Sequence, residues 1–131
     1  MEWAVTLHSY WRWIVLIAGI VVVVLGILAF TGNRPWDAVS ARAALVFTIV
    51  LDIQVLIGLL VWISEQRWIG DAYLGYLHPL LMIGAVAIAH VGRARADRAV
   101  DSQTKGRMAT FFFVASFIVI LVAIPLGSWP V

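Results

Sequence analysis

Residues 10–30 read YWRWIVLIAGIVVVVLGILAF, twenty-one residues with Arg12 as the single charge. A bilayer core needs about 20 mostly apolar residues per helix, so this run alone points to a membrane span. Three more runs follow, at residues 43–63, 74–91 and 108–125. The β-branched residues in them do not argue for strands. In lipid a run this long must satisfy its backbone within itself, which only a helix does, and a barrel strand is shorter and alternates.

The composition agrees. The 131-residue chain is 63% apolar and 12% charged, with a mean hydropathy of +1.01. Soluble domains are about 45–50% apolar and about 25% charged. Turn chemistry separates the runs: Thr31-Gly32-Asn33-Arg34-Pro35, then Gly70-Asp71, then the polar stretch from Arg93 to Gly106. Short connections make sequential helices antiparallel neighbours. The expected fold is all-α, a single transmembrane domain over residues 1–131, folded as an up-down-up-down four-helix bundle. The acidic, aromatic start Met1-Glu2-Trp3 does not read as a cleaved signal peptide.

Charge placement sets the expected topology. Arg34, Arg42, Arg93, Arg95, Arg98, Lys105 and Arg107 cluster at one end, against Arg12 and Arg67 at the other. The positive-inside rule puts the first and third loops in the cytoplasm and both termini outside, in the periplasm if the membrane is the inner membrane of a Gram-negative bacterium. Trp3, Trp11, Trp13, Trp62, Trp68 and Trp129 fall on the outer side and Trp36 on the inner. An aromatic belt accounts for most of them; the asymmetry also fits a partner surface or cofactor rim. The basic stretch after the third run reads as a topology signal in contact with anionic lipid, not as a nucleic-acid site.

Ionisable groups at membrane depth are costly and mark functional candidates. With no cysteine in the chain, the three histidines are the candidate metal ligands. His8 and His78 begin the first and third helices at matched depth. Across a bundle core such a pair suits the two axial positions of a haem b, and interfacial hydrogen-bonding histidines are the plain alternative. Gly19 below His8, and Met82, Ala85 and Ala89 below His78, lie on the same faces. They either leave a slot for a flat ring or let helices pack closely. Copper held with help from Met1 or Met82 is a third option.

His90 lies twelve residues beyond His78, roughly 18 Å along a helix, so the two cannot share one haem. His90 either hydrogen-bonds within the bundle or pairs with Met108 at a second iron. Asp52 is expected to form a buried pair with Arg12, the alternatives being a proton or quinone site at Asp52 and a haem propionate at Arg12 or Arg67. Gln54 is expected to cross-link helices, or to join Asp52 as a buried polar pair.

The pattern His8-Ser9…Arg12-Trp13, Asp52-x-Gln54…Gly58, His78-Pro79…Met82…His90-x-Gly92-Arg93 and Ile124-Pro125 resembles small bacterial membrane proteins labelled "cytochrome b". Its layout is similar to four-helix b-type cytochromes and copper-resistance membrane proteins. The resemblance spans nearly the whole chain. It implies haem b and membrane electron transfer, with His8 and His78 as ligands and a quinol or another redox protein as partner. Three histidines cannot make two bis-histidine sites, which departs from two-haem cytochromes. An accessory subunit of a larger respiratory or photosynthetic complex, in contact with membrane partners or with copies of itself, is the second expectation. A small copper-handling or transport protein is the third. No nucleophile–base pair, phosphate loop or dinucleotide fingerprint points to an enzyme acting alone, and no catalytic residue is expected.

Overall fold

The computed structural model describes residues 2–125. Four long helices build it: α1 (Glu2–Phe30), α2 (Ala38–Ser64), α3 (His78–Arg98), entered through a π-helical turn at Tyr73–Leu77, and α4 (Ser102–Ala123). There is no strand among the described residues. All four spans are long and apolar enough to cross a membrane, as a multi-pass bundle requires. Large apolar side chains stand exposed on every helix, among them Ile17, Leu56, Leu80 and Phe111.

The helices outrun the apolar stretches because capping, not hydropathy, sets their ends. Asp37 caps α2, accepting from the Ser40 backbone N–H at 3.0 Å. Asp101 caps α4, accepting from the Thr104 N–H at 2.9 Å. The polar stretch from Arg93 to Gly106 is therefore mostly helix, and three residues, 99–101, separate α3 from α4. Loops and caps lock together where the Trp36 N–H donates to Ser102 Oγ.

These caps give a pH-dependent prediction. Hydrogen bonds from Thr104 hold the Asp101 carboxyl below the ordinary carboxylate range, and those from Ser40 do the same for Asp37. A carboxyl depressed in the folded state adds stability above its unfolded pKa, and that stability is lost as pH falls through the folded value. The bundle's melting temperature in detergent should fall as pH drops below about 4, and Asp101→Ala should lower it by on the order of a few degrees at neutral pH. A melting curve for Asp101→Ala that overlays the wild type at pH 7 would refute this.

Small residues bring the helices together, as bilayer packing demands. On α1 against α4, a Cβ on Gly106 would meet Phe30 N at 2.4 Å, and one on Gly26 would meet Thr110 Oγ1 at 3.1 Å. On α3 against α4, a Cβ on Gly92 would meet Phe112 Cβ at 2.4 Å, and Ser116 Oγ donates to Ala85 O at 2.8 Å. Phe47 of α2 and Phe113 of α4, both fully buried, meet edge to face at 5.6 Å in the centre. Helix α1 thus packs on α2 and α4, and α3 packs chiefly on α4, while α2 and α3 touch less closely.

Candidate functional site

At the end of the bundle where α1 and α3 begin, a cavity of about 420 Å³ opens between the helices. This lies within the usual range for cofactor and small-molecule sites, about 300–1,000 Å³. His8 of α1 and His78 of α3 line it together. Their ring centroids are 6.2 Å apart and their planes nearly perpendicular, at 88°.

Local chemistry fixes His78. The Asp71 carboxylate accepts from the Tyr73 N–H at 2.9 Å, and the Gly75 N–H donates to Asp71 O at 2.8 Å. Trp62 of α2 then ties the turn down, its Nε1–H donating to Gly75 O at 2.7 Å. A Cβ on Gly75 would sit 2.7 Å from Arg67 O, so the chain approaches the turn that follows α2 this closely only with glycine. The turn widens to a π-turn, the kind of irregularity that re-aims side chains at functional sites. Pro79 follows in the first turn of α3, where its missing N–H costs nothing.

His78 Nδ1 lies 2.7 Å from Ala123 O. A carbonyl accepts only, so Nδ1 carries the proton and Nε2 is left with its lone pair. This is how a ligating histidine is prepared, the outer nitrogen held by a carbonyl and the inner one free to bind. The Tyr73 hydroxyl donates to the same carbonyl. His8 is set from the other side: Gln54 Nε2 donates to His8 O at 2.9 Å, and a Cβ on Gly58 would come 3.0 Å from His8 Cε1.

Three buried side-chain atoms lack a hydrogen-bond partner among the described residues: His8 Nδ1, Gln54 Oε1 and Arg67 Nε. All three belong to residues lining this one cavity. Buried polar groups are normally paired; the Gln54 side chain interacts with the His8 imidazole, and the Arg67 Nε–H beside them is left open toward the cavity. Arg12, 7% exposed, also lines it, and its Nε–H donates to Ser9 O at 3.2 Å. Below, Val15, Met82 and Ile120 make the floor apolar.

Of the residues singled out from the sequence, His8, His78, Arg12, Gln54 and Met82 therefore meet at one cavity. Gly19 does not: the Phe117 ring of α4 lies 2.5 Å from where its Cβ would be, so the expected slot is filled by helix packing. Ala85 and Ala89 are fully buried in the core. The expected Asp52–Arg12 pair is replaced by another. Asp52 takes His90, whose Nε2 is 2.9 and 3.0 Å from its two carboxylate oxygens. Nor do Asp52 and Gln54 pair, since residues two apart on a helix point to different sides. His90 is thus engaged with Asp52 rather than with Met108, which packs against the core. Met1 and Trp129 lie outside the described residues. Trp11 donates to Val50 O at 2.8 Å, and the Trp62 and Trp68 rings meet at a tilt of 56°, centroids 4.8 Å apart, beside the cavity.

Sequence reasoning missed the Ala123 carbonyl and the π-turn. The first is a backbone atom and leaves no trace in side-chain identity. The second had a signal in Gly75 closely followed by Pro79.

No group of three or more His, Cys, Asp or Glu side chains gathers at one point among the described residues. A metal would have to find its remaining ligands elsewhere, as iron does in a porphyrin. Comparison of the chain with family models, curated proteins and solved structures gives no match.

Proposed function

We propose that this chain is a membrane electron-transfer protein holding one haem b between His8 and His78. The carrying observation is the pair itself: two imidazoles from different helices, 6.2 Å between centroids, facing a shared cavity. At a metal–nitrogen bond of about 2.0–2.1 Å, two imidazoles on opposite sides of one ion have centroids about 6 Å apart. The centroid spacing is compatible with that arrangement, and the protonated Nδ1 of His78 favours ligation through Nε2.

Each residue has a role in this reading. His8 and His78 would hold the iron through their ring nitrogens. Arg67 and Arg12 supply cationic N–H groups for carboxylates at the cofactor rim, where charge-assisted bonds are strong. Gln54 holds the His8 backbone and offers an acceptor. Met82, Val15 and Ile120 exclude water. The bound haem would supply reversible one-electron chemistry. The excess of Lys and Arg on the first and third loops supports an extracytoplasmic position for this site, in a bacterial inner membrane. Quinol in the bilayer and an extracytoplasmic redox protein are the partners in reach, and membership in a larger respiratory or photosynthetic complex is compatible with both.

The test is a reduced-minus-oxidised optical spectrum of protein purified from its native membrane. A sharp b-type difference band is expected; a flat spectrum from folded protein would sink the proposal, and copper found in its place would turn it toward metal handling. Gly58→Val adds a steric check. Its side chain would drive into His8, and most of the haem absorbance should be lost while the helical content stays the same.

A further inference from the structure

The Asp52–His90 pair faces the wrong way for a lone bundle. Asp52 lies roughly 20 Å from either end of α2 at 1.5 Å per residue, in the middle of an apolar span. Yet its side chain is 40% exposed and that of His90 44%. Ionisable residues at membrane depth almost always face the bundle interior or a watery cavity, so this face is not a lipid face.

The pair sits within a seam. On α2, Ile49, Asp52, Leu56 and Leu59 follow the three-four spacing of helix-packing positions, and the three apolar members are exposed. On α3, Ile83, Ala87 and His90 repeat the spacing, all exposed. Helices α2 and α3 also touch less closely than the other neighbouring pairs, so this face has the least intramolecular cover.

We propose that a second copy of this chain packs on the α2–α3 face, with the two Asp52–His90 pairs meeting at its centre. Copies inserted with the same topology are related by a two-fold axis along the membrane normal. Each residue then meets residues at its own depth. A face with an acid and an imidazole side by side at one depth is complementary to itself under that operation. The Asp52 carboxylate can accept more bonds than His90 Nε2 alone provides. A single polar position in an apolar seam also fixes register, as a buried polar residue does in coiled coils. Ala87 beside the pair permits close approach. The assembly is independent of the haem site, which lies at one end of the bundle.

The chain has no cysteine, so single-cysteine variants report without background. Leu56→Cys and Ala87→Cys should cross-link into dimers in native membranes at least several-fold more than Ile17→Cys on α1 or Phe111→Cys on α4. Asp52→Leu should reduce dimer in lipid nanodiscs at least tenfold, with circular dichroism unchanged. A wild-type monomer under these conditions would overturn the proposal, as would cross-linking favouring α1 or α4, or a dimer indifferent to Asp52→Leu. Since Leu56→Cys and Ala87→Cys leave the pair intact, a misfolded Asp52→Leu protein would still leave the cross-linking result decisive.

Discussion

His78→Ala protein, purified from its native membrane, should carry no haem and should still fold as a helical bundle. Removing His78 leaves Ala123 O with the Tyr73 hydroxyl as donor, so the end of α4 keeps a partner. The turn that positions residue 78 is held by Asp71, Gly75 and Trp62, none of which depends on the imidazole. His8→Ala gives the same spectral loss with a distinct signature in stability. His8 Nδ1 is buried without a partner among the described residues. A buried polar group with poor pairing costs about 1–3 kcal/mol, which offsets the packing lost with the ring, so without cofactor the His8→Ala bundle should unfold within a few degrees of wild type. A residue kept for packing behaves differently, since deleting a buried side chain destabilises. Thermal unfolding of both haem-free proteins in one detergent separates the cases. A large destabilisation by His8→Ala, with no change in bound cofactor, would make the histidine structural.

Gly106→Ala should be the most damaging single methyl in the chain. Its Cβ would lie 2.4 Å from Phe30 N, 2.6 Å from Ala29 Cβ and 2.7 Å from Ala29 C. Two of these contacts are backbone atoms, so no rotamer change relieves them, and α1 and α4 must separate. Overpacking a tight core typically costs about 1–3 kcal/mol and occasionally more, and a backbone clash belongs at the upper end. The control is Phe111→Ala on the same helix. It removes a whole ring, but the ring is 69% exposed on the outside of the bundle, and the cost should be below about 0.5 kcal/mol. Equal melting temperatures for the two variants would show that the α1–α4 seam is not as close as described.

What could be read from the sequence divides along physical lines. Helix number and the antiparallel bundle were legible because the bilayer imposes length and hydropathy on every span. Helix ends were not, because Asp37 and Asp101 extend α2 and α4 through hydrogen bonds that a hydropathy pattern ignores. The approach of His8 and His78 followed from depth alone: both begin helices that start at the same end. The partner of Asp52 was misjudged for want of rotation. Depth allowed Arg12, but Asp52 points out between α2 and α3, where His90 also points, and Arg12 points inward. Gly19 shared a face with His8, yet what fills the space before a glycine depends on the neighbouring helix, and Phe117 of α4 fills it here. The Ala123 carbonyl that orients His78 is backbone, and no residue type announces it.

The measurement that tests the central claim most directly is an electron paramagnetic resonance spectrum of the oxidised, native-membrane protein. Two imidazoles holding one ferric iron would give a low-spin signal. The account predicts that signal in the wild type and its loss in both His8→Ala and His78→Ala. A high-spin signal from iron with one histidine, or a low-spin signal that survives either substitution, would contradict it.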